Sequence, residues 1–175
     1  MKIARTVGAV IVTICFFPFV LFVFPKIILS MGAAIFPNPP LPEIRYGEFP
    51  FKLVYTINGE VKVIEDTVIC EFDGIGTDLS TGKHRKWKSR LASGNEEVIL
   101  LRIDATKYIY YLPGSSRYYM GDLEKYATWE HRFPNANIYD ANSIPQRINA
   151  DELLSEYGIK LISWEPSPPI VNSFR

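Results

Sequence analysis

The chain has 175 residues, 19 basic and 19 acidic side chains and no formal net charge; 47% of its residues are hydrophobic and 14% aromatic. The balance argues against a basic nucleic-acid-binding chain, and the aromatic content against a disordered polar one. Of the two cysteines, Cys15 falls in an apolar run, so the part beyond that run, with Cys70 alone, cannot close an internal disulfide.

Thr6 to Phe24 is a run of 19 residues without a charged side chain. At ~1.5 Å per residue it reaches ~29 Å as a helix, close to the ~30 Å hydrocarbon thickness of a bilayer. A buried soluble helix is disfavoured because the run has no polar face at helical period. A cleaved signal peptide would use Gly32-Ala33-Ala34, but the run is too long for one, and Lys26 and a second apolar stretch, Ile27 to Phe36, intervene. The run therefore reads as an uncleaved signal anchor. Pro18 is tolerable in such a helix because neighbouring groups re-satisfy the backbone. Lys2, Arg5 and the terminal amine precede the run, while Lys26 stands alone after it until Arg45. That bias puts the N-terminus inside and the domain outside. Cys15, between Ile14 and Phe16, lacks the surroundings of a lipidated cysteine and reads as an apolar packing residue.

Pro37 to Pro42 holds four prolines in six residues. It predicts an extended, semi-rigid spacer reaching ~15–20 Å. Phe51 to Ile57 then alternates at period two, Asn58-Gly59 follows, and a second alternating arm begins at Glu60. Asn-Gly between such runs predicts a hairpin with a type I′ turn. The second arm continues to Phe72, and its apolar phase changes between Val63 and Val68, which predicts a bulge near Glu65-Asp66. Asp73 to Gly76 reads as a closing loop. Arg85 to Leu91 and Glu97 to Ile103 read as a further strand pair joined by Ala92 to Asn95, and Thr106 to Leu112 as a fifth strand. Ser115 or Ser116 caps a short turn closed by Gly121. Asp122 to Arg147 reads mostly as loop. Asn149 or Ala150 opens a helix over ADELLSEY, with Asp151 and Glu152 in its first turn and Gly158 beyond its end. Ile159 to Trp164 is a last strand, followed by a proline-rich extended tail. The fold class expected is α+β: a transmembrane helix, then a mainly antiparallel β domain, sandwich-like or a curled sheet, with one short C-terminal helix.

Few residues suggest chemistry. Five Lys or Arg crowd Lys83 to Arg90. On a strand, Lys86, Lys88 and Arg90 share one face and are a candidate anion site; the plainer reading is an edge strand whose lysines block edge-to-edge pairing. Asp73 and Asp78 flank a glycine-rich turn without the ligand pattern of a calcium loop. His84 and His131 have no second ligand at metal spacing. No nucleophile elbow, zinc-protease motif or phosphate loop occurs. Cys70 alternates with Val68 and Phe72 and reads as a buried small hydrophobe. Tyr108 and Tyr110 share one strand face and Tyr111 the other, so one side is core and the other a possible protein or sugar platform.

At Glu43 to Phe51, Ile57 to Glu60, Cys70 to Gly76, Arg85 to Lys88, Tyr118 to Asp122 and Ile162 to Glu165, the chain resembles a family of single-pass membrane-anchored proteins of Gram-positive bacteria with no assigned activity. The resemblance implies a bacterial envelope setting and carries over no catalytic or binding residue. Together these readings predict an anchor at 1–36, a linker at 37–42 and one β-rich domain at 43–175. The expected partners are the lipid bilayer and an envelope protein or anionic polymer, with no nucleic acid, cofactor or metal. A small envelope hydrolase using Asp or Glu, and a module facing the cytoplasm, are the alternatives.

Overall fold

Two residues set the first hairpin. In the computed structural model, which describes residues 19–28, 36–78, 82–95, 97–123 and 131–175, Asn58 and Gly59 hold positive φ of 50° and 85°. That is the type I′ turn that matches strand twist. It joins β1 (Tyr46–Ile57) to β2 (Glu60–Asp78), which pair antiparallel in unbroken register from Ile57↔Glu60 to Tyr46↔Glu71. β1 alternates as expected: Phe49, Phe51, Leu53 and Tyr55 are buried.

The register corrects the expected bulge at Glu65-Asp66. Lys52↔Glu65 and Phe51↔Asp66 are ordinary steps of the ladder. The change of apolar phase is resolved instead by exposure: Val61 and Val63 face outward, 63% and 52% exposed, while Val68 and Cys70 face the core. Asp73 to Gly76 is also strand rather than a closing loop, because β2 runs on to Asp78 through Gly74, whose φ of 87° bends the backbone without ending it.

β3 (Gly82–Leu91) pairs with β2, and β8 (Ile159–Pro166) pairs antiparallel with the other side of β1, giving the sheet order β3-β2-β1-β8. β4 (Val98–Arg102), β5 (Lys107–Tyr111), β6 (Ala136–Asp140) and β7 (Gln146–Ile148) form a second antiparallel sheet in that order. One expectation is corrected here: β3 and β4 are not a pair but belong to different sheets. The described residues of 122–147 are mostly loop, as expected, but the stretch also carries β6 and the start of β7; ANIYD lacks the β-branched density that announces a strand. The inward residues of both sheets join one core cluster with Tyr119, Met120 and Leu153. The architecture is mainly antiparallel β with few helices, an α+β fold.

The two helices of this part end as their sequences dictate. α1 (Ser116–Tyr119) is capped by Ser115, whose hydroxyl accepts from the Tyr118 amide. α2 (Ala150–Tyr157) has a complete capping box between Asn149 and Glu152, and Gly158 closes it at φ 64°.

The chain divides into two compact units: Met1–Pro40 with Gly74–Lys86, and Leu41–Asp73 with Trp87–Arg175. In the smaller, a Cβ on Gly76 would lie 2.7 Å from His84 Nε2, and Arg85 donates to the Pro40 carbonyl at 3.2 Å. The expected span lies mostly outside the described residues. Of it, Phe19–Val23 forms a π-helical turn that continues as helix to residue 28. Among the described residues no helix is long and apolar enough to cross a membrane.

In the larger unit the C-terminal tail is strapped down rather than free. Leu41 and Arg175 exchange backbone hydrogen bonds at 2.7 and 2.9 Å, and Glu43 N–H donates to the Ser173 carbonyl. Asn172 accepts from Ile44 N–H and donates to the Ile44 and Met120 carbonyls. The last residue of the expected spacer, Pro42, is thus fully buried. Gly121 lies under the strap with φ 63°, and a Cβ there would sit 2.5 Å from the Ile170 carbonyl oxygen. We expect Gly121→Ala to lower stability by about 2 kcal/mol or more, because left-handed strain and a backbone clash combine. Gly59→Ala, where a Cβ meets nothing within 4 Å, should cost about 1 kcal/mol. Urea unfolding of both variants checks the order.

Candidate functional site

The cationic stripe occupies an edge strand. Lys86, Lys88 and Arg90 alternate along β3 and are exposed, and β3 is the outer strand of its sheet. Lys88 and Arg90 have carboxylate partners on β2: Lys88 Nζ lies 2.7 Å from Asp73, and Arg90 3.4 Å from Glu71. The Asp73 hydrogen bond and charge raise the Lys88 pKa. A stripe with its counter-ions built in suits edge protection better than capture of an external anion. On the other face of the strand, Trp87 donates its indole N–H to buried Asp122 at 2.7 Å and meets Phe72 edge-on.

The remaining sequence candidates go mostly to structural work. His131 Nδ1 accepts from the Phe133 amide at 3.3 Å, and its ring lies 6.1 Å from that of Trp164. Ser115 is the helix cap already described. Cys70 is fully buried, and loss of solvent pushes its thiol up to about 12. Tyr111 is wholly buried in the core, packed on Trp164. On the opposite face, Tyr108 stacks on Tyr139 at 4.9 Å with the Arg102 guanidinium 5.7 Å from its ring. Loss of solvent, then the Glu97 carboxylate, push Tyr108 up to about 12. With Tyr139 and Arg102 both against its ring, Tyr108 is a rung of a cross-strand ladder more than an open platform.

The structure brings together a group that the sequence pattern does not announce. A groove of about 370 Å3 runs between the β6–β7 hairpin and α2. Ile138, Ile148 and Tyr157 supply its apolar lining. Lys107 from β5 and Arg147 from β7 bring positive charge; Asp140, Glu152 and Glu156 bring negative charge. Two of these carboxylates also hold backbone: Asp140 accepts from the Asn142 amide at 2.9 Å, and Glu152 from the Asn149 amide at 3.2 Å. Ser143 and Gln146 complete the rim. Glu152 and Glu156, one helical turn apart, point to the same side of α2. Residues 40 positions apart meet here only because β5, β6 and β7 are neighbours. Among the described residues, no group of three or more His, Cys, Asp or Glu side chains is arranged to hold a metal ion.

No family model, curated protein or solved structure matches the chain.

Burial of phenols and a thiol sets the alkaline behaviour. Desolvation raises Tyr55, Tyr110, Tyr111 and Cys70. Unfolded, these groups lose protons above about pH 9–10, while the folded state still holds them. The unfolded state then binds fewer protons, so stability falls as pH rises. We expect the urea midpoint to drop between pH 8 and pH 10.5. A midpoint constant over that range would contradict the burial described.

Proposed function

We propose that this protein is a membrane-tethered interaction module, with its N-terminal segment in a lipid bilayer and its β-rich domain presented outside the cytoplasmic membrane to an envelope protein or polymer. One observation carries the reading. The described end of the apolar run is helical, and Val20, Leu21, Phe22, Val23 and Phe24 are all exposed, from 39% to 69%. A helix apolar on every side that is not buried in its own protein calls for an apolar environment supplied from elsewhere. The whole uncharged run of which it is the end, Thr6 to Phe24, has the length of a bilayer span. The segments resembling anchored proteins of Gram-positive bacteria agree with an envelope setting.

The hydrolase alternative is less well supported. It asks for a carboxyl group held protonated in a pocket. In the groove, Asp140 and Glu152 instead accept backbone N–H bonds. Glu60 and Asp104, whose pKa values move, are both held below the ordinary carboxylate range, by Lys62 and by the Thr106 hydrogen bonds. That is the opposite direction from a general acid.

Topology tests the proposal. Alkaline phosphatase and a fluorescent protein are each fused after Arg175 through a flexible linker, long enough to leave the Leu41–Arg175 bonds in place. We expect phosphatase activity without fluorescence. Fluorescence without phosphatase activity would put the domain on the cytoplasmic side, and recovery of both fusions in the soluble fraction would remove the anchor.

A further inference from the structure

We propose that the groove between the β6–β7 hairpin and α2 is a binding site for a small zwitterion of the amino-acid class, either a free amino acid or a short peptide. Its carboxylate would meet Arg147 on the sheet side, and its ammonium would meet Glu156 on the helix side. The inference rests on the reading of the domain as a binding module and adds to it the ligand class.

Size is the first argument. At ~30 Å3 per water, the groove has room for about twelve waters, comparable to a dipeptide of on the order of ten heavy atoms. That lies within the ~300–1,000 Å3 of small-molecule sites. Charge is the second. A site for a simple anion would not place Glu156 and Glu152 beside Arg147, and a site for a simple cation would not place Lys107 and Arg147 beside the glutamates. A ligand that carries both signs, separated by a short apolar body, satisfies both walls at once.

Availability is the third argument. Among the described residues, Arg147 and Glu156 enter none of the ion pairs that tie up other surface charges, such as Lys88–Asp73 or Arg175–Glu43. Both side chains are exposed, so neither has been desolvated in advance. The guanidinium fork suits a carboxylate bidentately, and a carboxylate is the natural partner of an ammonium. Ile148, 6% exposed, and Tyr157 offer apolar contact for the ligand's own side chain. Supporting elements are firm: α2 is capped at both ends, and β7 is paired to β6 at Ala136↔Ile148, Asn137↔Arg147 and Ile138↔Gln146. The site is thus largely pre-formed, which lowers the ordering cost of binding.

The test is an amide-shift titration of the full-length, nitrogen-15-labelled chain in detergent micelles. The probe is glycylglycine; the controls are acetate, methylammonium and the uncharged N-acetylglycinamide. We expect saturable shifts confined to residues 146–148 and 152–157, with a Kd of about 1 mM or tighter. Arg147→Gln and Glu156→Gln should each weaken binding about tenfold or more, and Lys88→Gln, outside the groove, should leave it unchanged. Both groove substitutions are at exposed positions, and the unshifted remainder of each spectrum checks that the fold is kept. Absence of saturable shifts, equal binding of acetate or N-acetylglycinamide, or insensitivity to both groove substitutions overturns the assignment. The titration does not depend on which side of a membrane the domain occupies, so it can fail while the topology fusions succeed, and the reverse.

Discussion

The rest of the structure depends on the burial of one face of β1. Phe49, Phe51, Leu53 and Tyr55 are each 6% exposed or less. With Val68 and Cys70 of β2, Leu91 of β3 and Ile159 and Leu161 of β8, they are the first sheet's share of the core cluster that holds both sheets. Phe49 packs on Tyr119 at 4.7 Å, Phe51 on Trp164 at 5.0 Å, and Trp164 in turn on Tyr111 of β5 at 4.9 Å. The Tyr55 hydroxyl donates across the interface to the Leu100 carbonyl at 3.3 Å. Burying Phe49, Phe51 and Leu53 is worth about 5–9 kcal/mol, several times the cost of the left-handed turn that positions the strand. β1 is also paired on both sides, to β2 along its whole length and to β8. Its apolar face, its two ladders and the aromatic chain through Trp164 are therefore one cooperative arrangement.

Where local rules act alone, the sequence was legible. Asn58-Gly59 dictates its turn, Asn149 with Glu152 dictates the start of α2, and Gly158 dictates its end. The alternation of β1, the burial of Cys70 and the exposed cationic face of β3 follow from period two. Errors arose where tertiary context decides. Val61 and Val63 look like core positions, yet the ladder keeps its register and leaves them in solvent. Gly74 looks like a strand terminator, yet a single positive φ inside a long strand is enough to accommodate it. β6 and β7 have weak local signals; β6 exists because β5 offers it an edge, and β7 because β6 does.

The candidate groove was invisible for the same reason. Arg147 is an isolated charge in an undistinguished stretch, and Glu156 reads as one more exposed helix residue. Only the sheet order β5-β6-β7 and the docking of α2 bring them to one cavity. The terminal strap has a similar origin. Neither Pro42 nor Phe174 announces a partner, but the two form an isolated bridge 132 positions apart. It ties the tail to the segment where the chain enters the larger unit, so the C-terminus and the end of the spacer are close together.

Native-state hydrogen exchange tests the central claim, that β1 unites the two sheets into one cooperative core, most directly. The account predicts that amides in the paired middle of β1, of β2 and of β5 exchange only through one global opening, with a common free energy and a common denaturant dependence. The strap at 170–175 should exchange earlier, through a smaller opening. If the amides of β1 and β8 exchanged through an opening that left β4, β5 and β6 protected, the two sheets would be separate units and the account would be wrong.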